Sequence, residues 1–421
     1  MLFIYRVLPI GGIETFFLRM AKERYKKGLA TTILLLSDPN DSNQALLMEM
    51  KKYSNVVFFF DIFYKIPIVS KYFPLLALIR KRALSKMLSN VDHVHTFKGM
   101  HALLAHRLLS ISSREKIPIT IGFYHYISYV WGGDHVAYHE KINRKFVFNY
   151  LPKESLLFFS NGNRDFHTNL LGLDFKRSQT FRLGVIDKKI VEISGRLEHV
   201  LKVAAVGRLV EFKTYNIFIL DVIKKLVDSG IFVRLDIYGE GPLASEMQKK
   251  IDFLNLNEFV YLRGEFQYEK FDNIISNYDL FIGSGTAIIQ ASSLGVPAIV
   301  GIENETTPVT YGFFSNVHMY EYNLKGLKLD VYEIFDLIVE YTELSVDQRY
   351  QLKLDHVNCA KNFTNQSCQN ALDKCKSIEM PRDTFYQNYV KYEISRAVDQ
   401  LLIFINPMHP FNTKFKKFNN R

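Results

Sequence analysis

Along the chain, short apolar runs are followed by a polar or glycine-bearing turn and then by a stretch whose apolar residues recur at helical spacing. That order is the pattern of a parallel α/β sheet, in which each buried strand returns through an amphipathic helix. "LFIYRVL" reads as a first strand, "GGIETFFLRMAKERYKKG" as a helix closed by Gly28, and "ATTILLLS" as a second strand; the order resumes at "VDHVHTF", "IPITIGFYH" and "SLLFFSNG". Together these make one doubly wound half. At "FRLGVIDKK" the pattern gives way to a charged, irregular stretch up to Glu198, the natural hinge, and restarts at "VLKVAAVG". The second half predicts helices over 214–229, 242–254, 268–277 and 286–293, alternating with strands "AAVG", "FVRLDIYG", "VYLRG", "DLFIG" and "PAIVG". From about residue 330 the chain turns helical and polar and ends in the basic tail "FNTKFKKFNNR". The expected domains are 1–185, 186–380, and a C-terminal helical segment with the basic tail, 381–421, packing back on the first.

Ligands of open parallel sheets bind outside the carboxyl ends of the strands, so the turns there carry the chemistry. In "VGRLVEFK", Gly207 permits a tight bend, Arg208 sits at the strand's end, and Lys213 leads into the next helix. The two cations can converge on one anion, Arg as a fork of donors and Lys as a point charge; the alternative is two solvated surface charges. In "IYGEGP", Gly239 and Gly241 flank Glu240, which allows close backbone approach to a ligand or makes a simple tight turn. In "FIGSGTAIIQASSLGVPAI", a strand ends, "GSGT" follows, and a helix starts at about Thr286. Small residues with free N–H groups at a helix N-terminus form a phosphate seat; the alternative is a capped helix with glycines used for packing. Three phosphate-compatible turns on one sheet point to a diphosphate ligand. No carboxylate cage for Mg²⁺ accompanies them, so no metal is expected.

Composition narrows the picture. A chain of 421 residues exceeds one compact core, which agrees with two domains, and 48% hydrophobic residues suffice to build them. The formal charge of +10 favours phosphate, nucleic acid or an anionic membrane as partner. The charges are dispersed and no binding module is evident, so nucleic acid is not expected. A dinucleotide oxidoreductase fits poorly, since "LPIGGIETF" lacks G-x-G-x-x-G. Cys359, Cys368 and Cys375 match no zinc or redox spacing and read as reduced thiols. Neither a signal peptide nor a spanning helix is expected. Residues 56–86 interleave aromatics with Lys65, Lys71, Arg80, Lys81, Arg82 and Lys86. They suit an interfacial patch on an anionic leaflet or, alternatively, a core strand and an amphipathic helix with a solvated basic face.

Taken in order, these motifs resemble the GT-B glycosyltransferases of the family 4 type, over most of the chain to about residue 300. "GGIETFFLRMAKE" is similar to that family's Gly-Gly-x-Glu loop and helix, and "VGRLVEFK" to its Gly-Arg-Leu…Lys motif. "IYGEGP", "VYLRGEF" and "DLFIGSGTAIIQASSLGVPAIVG" follow in the family's order. The resemblance implies two Rossmann-like doubly wound domains facing across a cleft, acceptor side first and nucleotide-sugar side second. It implies that Arg208 and Lys213 bind and stabilise the donor diphosphate, and that Gly11, Gly12 and Glu14 face it from the first domain. Gly239, Gly241, Gly283, Ser284, Gly285, Thr286 and Gln290 would complete the donor site, with Arg263 and Gly264 near the base. His125 in "IGFYHY" best fits the family's histidine beside the reacting sugar; His95 in "HVHTF" is the alternative, and either can be a satisfied structural histidine.

One departure stands out. The family usually carries two glutamates eight positions apart, whereas here Gln290 holds the second place and the first falls in a shortened loop. That shorter form resembles the inverting transferase that completes lipid II, and some capsule enzymes, while family 4 resemblance implies retention. The expected function is transfer of a hexose-type sugar from a UDP- or GDP-sugar to a glycan or polyprenyl-linked acceptor in bacterial O-antigen or capsule synthesis. No cofactor is expected, and the expected place is the cytoplasm, on the cytoplasmic face of the inner membrane. The alternatives are a non-catalytic nucleotide-binding relative of the same fold and a sugar-nucleotide 2-epimerase.

Overall fold

The computed structural model describes the chain except residues 10–11, 67–71, 125–127, 132, 134, 190, 198, 267–269, 407–408 and 410–421. It forms two units, one of Met1–Gly184 with Cys368–Arg421 and one of Val185–Ser367.

The first unit is built on a seven-stranded parallel sheet in the order β3-β2-β1-β4-β5-β6-β7. Its strands are β1 (Leu2–Tyr5), β2 (Thr32–Leu35), β3 (Asn55–Phe58), β4 (Val94–Thr96), β5 (Ile119–Phe123), β6 (Leu156–Phe158) and the short edge strand β7 (Gln179–Thr180). Apolar side chains of each central strand divide by parity between two faces, as the pleat requires. Leu2, Ile4 and Leu34 enter one core, while Met1, Phe3, Ile33 and Leu35 enter the other. Because both faces are buried, β1 and the Ile33–Leu35 part of β2 read as unbroken apolar runs.

The C-terminal segment completes both cores. Cys368, Leu372 and Cys375 fill the face that holds Phe3, and Phe385 and Tyr392 fill the face that holds Ile4. The chain therefore returns to the first unit at Cys368 rather than at residue 381, because apolar positions of the helix Asn365–Lys374 are needed under the first sheet. Arg24, buried in that unit, is held by Asp373 at 3.0 Å. None of the three cysteines is in a disulfide and all are buried, and burial pushes the Cys368 and Cys375 thiols up to about 12.

For residues 56–63 the structure takes the core alternative. Val56 to Phe58 belong to β3, and Phe59, Ile62 and Phe63 are buried, with the rings of Phe59 and Phe63 stacked at 4.2 Å. The helix Lys81–Leu88 buries Leu84, Met87 and Leu88 and leaves Lys81, Arg82 and Lys86 in solvent. Lys71 lies outside the described residues. Among those described, no helix is long and apolar enough to cross a membrane.

The second unit carries five parallel strands in the order β10-β9-β8-β11-β12. They are β8 (Leu201–Val206), β9 (Val233–Tyr238), β10 (Val260–Gly264), β11 (Leu280–Gly283) and β12 (Ala298–Val300). The helices between them span Tyr215–Asp228, Ala244–Phe253, Phe271–Ile275 and Gly285–Ser293. The third is shorter than the spacing predicts. The fourth starts one residue early, at Gly285 in the left-handed region with φ 66°.

Candidate functional site

In the second sheet the chain leaves β8 toward β9 on one side and returns to β11 on the other, so the topological switch point lies between β8 and β11. Crevices at such points bind ligands, because the loops there diverge and leave a gap above the strand ends. Three segments meet at this gap: 207–213 after β8, 283–286 after β11, and 301–305 after β12.

The loop after β8 places both predicted cations. Arg208 is exposed and Lys213 half-buried, and neither side chain has a hydrogen-bond or ion-pair partner among the described residues. A Cβ on Gly207 would lie 2.9 Å from the Lys213 Nζ, so this glycine makes the space that the ammonium fills. Burial lowers the Lys213 pKa, Glu303 opposes that shift, and the nearby Arg208 charge adds to it. An anion between the two cations would reverse the strain, since an opposite charge favours the protonated lysine.

Beside them lies the start of the helix Gly285–Ser293. Ser284 is the N-cap by its extended backbone, yet its side chain makes no cap hydrogen bond. Instead its hydroxyl donates to Glu303 Oε1 at 2.9 Å and receives the Tyr215 hydroxyl at 3.1 Å. The first-turn N–H groups at exposed Gly285 and Thr286 are thus left without a side-chain cap, next to two cations. An orphan helix N-terminus of this kind favours an anionic ligand.

Glu303 was not apparent from motif reading. Its carboxylate is also held by Asn323 Nδ2 at 3.2 Å, and the turn that carries it is pinned by Asn304 N–H donating to the Phe212 carbonyl at 2.7 Å. Asn304 takes φ 58°, which Asn tolerates better than most residues. The available signal was position: Glu303 is the first acidic residue after the fifth strand of this sheet, at a carboxyl end. Gly301 lets the Tyr215 ring approach, since a Cβ there would lie 2.5 Å from it. Tyr215 is fully buried and links the lysine loop to the helix start.

Gly239 and Gly241 serve the loop rather than open space. A Cβ on Gly239 would fall 2.0 Å from the Gly207 carbonyl oxygen, and one on Gly241 would fall 2.2 Å from that of Leu209. The two turns are laced together: Gly207 N–H donates to Tyr238 O and Leu209 N–H to Glu240 O, both at 2.9 Å. These glycines therefore set where Arg208 stands.

Arg263 is engaged on the sheet itself. It pairs with Asp236, which also takes Arg234 at 2.9 Å, and both guanidinium groups lie over the Tyr261 ring. Gly264 adopts φ 68° with open space where a side chain would project. Gln290 is buried within the helix Gly285–Ser293.

In the first unit, Glu14 is buried in the first turn of the helix Gly12–Lys26 and faces the Tyr5 hydroxyl. Burial, and then the Glu14 charge, push the Tyr5 pKa up. His95 is a satisfied structural histidine. Its Nδ1 meets Thr120 Oγ1 at 2.9 Å, its Nε2 meets the Tyr124 hydroxyl at 2.7 Å, and burial lowers its pKa to about 3. His125 and Gly11 lie outside the described residues. Sequence reasoning also passed over Arg6 and Lys98, both exposed and each just beyond a strand end, at the switch point between β1 and β4. They lie near buried His101, whose pKa is lowered to about 3, mainly by burial.

No protein-family model and no curated protein sequence matches the chain. Solved structures do. HepE of Anabaena, in complex with UDP and glucose, superimposes with a TM-score of 0.56 at 13% identity over 89% of this chain and 98% of its own. The lipopolysaccharide outer core galactosyltransferase WaaB gives 0.56 at 14% identity over 89% and 99%. A glycosyltransferase from Rickettsia africae gives 0.59 at 15% identity over 89% and 95%. Two parallel Rossmann-like sheets, matched along nearly the whole length of these proteins, give the chain the GT-B fold.

Proposed function

We propose that the protein is a glycosyltransferase that moves a hexose from a nucleoside-diphosphate sugar to a hydroxyl of a glycan or lipid-linked acceptor. One observation carries the reading. Two cations whose side chains have no hydrogen-bond or ion-pair partner among the described residues, Arg208 and Lys213, stand beside the uncapped helix start at Gly285 and Thr286, at the switch point of the second sheet. The fold supports it, and the UDP and glucose in the HepE structure make UDP the first nucleotide to test.

In the proposed reaction the anomeric C–O bond breaks, the diphosphate leaves with its electron pair, and the acceptor oxygen bonds to the anomeric carbon as it gives up its proton. Arg208, Lys213 and the N–H groups at Gly285 and Thr286 stabilise the negative charge on the departing diphosphate. Two cations and a helix terminus supply the countercharge that a divalent ion would otherwise bring. Glu303, fixed by Ser284 and Asn323, favours the charged form of Lys213 and supplies a carboxylate at this switch point in a chain that has Gln290 where a glutamate is usual.

The test is calorimetric titration with UDP, GDP, CDP and dTDP and their sugars, with and without Mg²⁺, followed by assay of free nucleoside diphosphate with acceptor glycans. One nucleotide should bind selectively, with an affinity that Mg²⁺ does not raise. Absence of binding by all four overturns the reading, and binding without turnover on any acceptor would favour a non-catalytic relative.

The lowered Lys213 pKa adds a pH signature. The ammonium is charged below its pKa and neutral above, so diphosphate affinity should fall on the alkaline side at a lower pH than an ordinary lysine would give. Lys213→Arg should remove that alkaline limb, because guanidinium stays protonated. An alkaline limb unchanged in the arginine variant would assign the titration to another group.

A further inference from the structure

We propose that the last helix, Tyr389–Ile405, is an in-plane docking element for an anionic lipid surface. One side of this helix is locked onto the first unit. Tyr392 and Glu393 are fully buried. The Tyr392 hydroxyl donates to Asn143 Oδ1 at 2.8 Å, Glu393 accepts the Leu75 N–H at 2.9 Å, and Ser395 Oγ accepts the His139 N–H at 3.2 Å. The helix therefore has no freedom to turn its other side inward.

That other side is apolar and exposed. Val390, Ile394, Val398, Leu401 and Ile405 follow one another at intervals of three or four, and Phe404, 84% exposed, lies on the same stripe three positions after Leu401. Single exposed hydrophobics are ordinary, but a continuous stripe marks an interaction surface. It extends onto the neighbouring segment, since Arg396 donates to the Tyr72 backbone carbonyl and Tyr72 and Leu78 are both exposed. Arg80, Lys81 and Arg82 follow directly, all in solvent.

Charge selects the occupant. The chain carries a net +10, and the sequence just beyond the helix adds Lys414, Lys416, Lys417 and Arg421. A second copy would bring like charge against like. An anionic bilayer offers opposite charge for the lysines and an acyl boundary for the stripe, the two components of interfacial helix binding. This docking is independent of the activity proposed above and would bring the first unit to a lipid-linked acceptor.

The experiment is co-sedimentation of the full chain with phosphatidylglycerol-containing vesicles and with pure phosphatidylcholine vesicles, at low and high salt. Wild type should bind the anionic vesicles at low salt and release as salt rises. The triple variant Ile394→Asp, Leu401→Asp, Phe404→Asp should bind more than roughly 100-fold more weakly, since three side chains lose their apolar burial. Replacing Lys414, Lys416 and Lys417 with Gln should weaken binding by roughly 100-fold and flatten its salt dependence. The melting temperature and UDP affinity of both variants should match wild type, which separates this surface from the donor site. Wild type that stays in the supernatant, or a triple variant that binds as wild type does, overturns the proposal. So does a wild-type dimer in sedimentation equilibrium that the triple variant dissolves.

Discussion

Arg208→Ala and Lys213→Ala should each lower sugar transfer by roughly 10²- to 10³-fold in kcat, the usual loss when one preorganised donor to a developing anion is removed. Steady-state assay of nucleoside diphosphate release with the donor chosen by titration is the measurement. Folding should be untouched, because neither side chain has a hydrogen-bond or ion-pair partner among the described residues. Lys213→Ala should hold or slightly raise the melting temperature, since its charge is disfavoured by burial and by Arg208 and only partly offset by Glu303. Turnover within a few-fold of wild type in either variant would remove that cation from the mechanism. A large fall in melting temperature would show a structural role instead.

Gly239→Ala should lower both stability and nucleotide affinity. The added Cβ would fall 2.0 Å from the Gly207 carbonyl oxygen, a backbone atom that moves only with the Arg208 loop. Overpacking of that kind costs about 1–3 kcal/mol. For a unit of this size that is a fall of roughly 2–12 °C in melting temperature. Glu240→Ala is the matched control: its side chain is exposed between the two glycines, so it should change stability by no more than about 0.5 kcal/mol. Calorimetry of both variants, with UDP titrated into each, checks the coupling. A Gly239→Ala protein that melts early but binds UDP as wild type does would show that the two turns are not mechanically linked.

Several readings needed only local order. The apolar runs around β1, β2 and β11 are buried on both faces, and a strand so placed announces itself without reference to the rest of the chain. Gly207, Arg208 and Lys213 were legible for the same reason, since the loop that holds them lies between one strand and the next helix. β3 was harder, because its "VVFFF" run leads straight into aromatic core residues that mimic an interfacial patch until their burial is known. Gly239 and Gly241 looked like ligand-facing glycines, because sequence shows that a side chain is missing but not which atom occupies its place. His95 looked like a candidate for the site until Thr120 and Tyr124, 25 and 29 positions away, were seen to satisfy both ring nitrogens.

By itself, then, the sequence determined the two doubly wound halves, the strand ends at which chemistry could occur, and the pair of cations after β8, because each depends on periodicity or on neighbours along the chain. Only the tertiary structure decided that Glu303, Ser284 and Tyr215 join Lys213 at one switch point, that the C-terminal segment closes both cores of the first unit, and that the stripe on Tyr389–Ile405 faces outward. Those facts rest on contacts between residues far apart in the chain, and such contacts exist only once the strands have taken their order in the sheet.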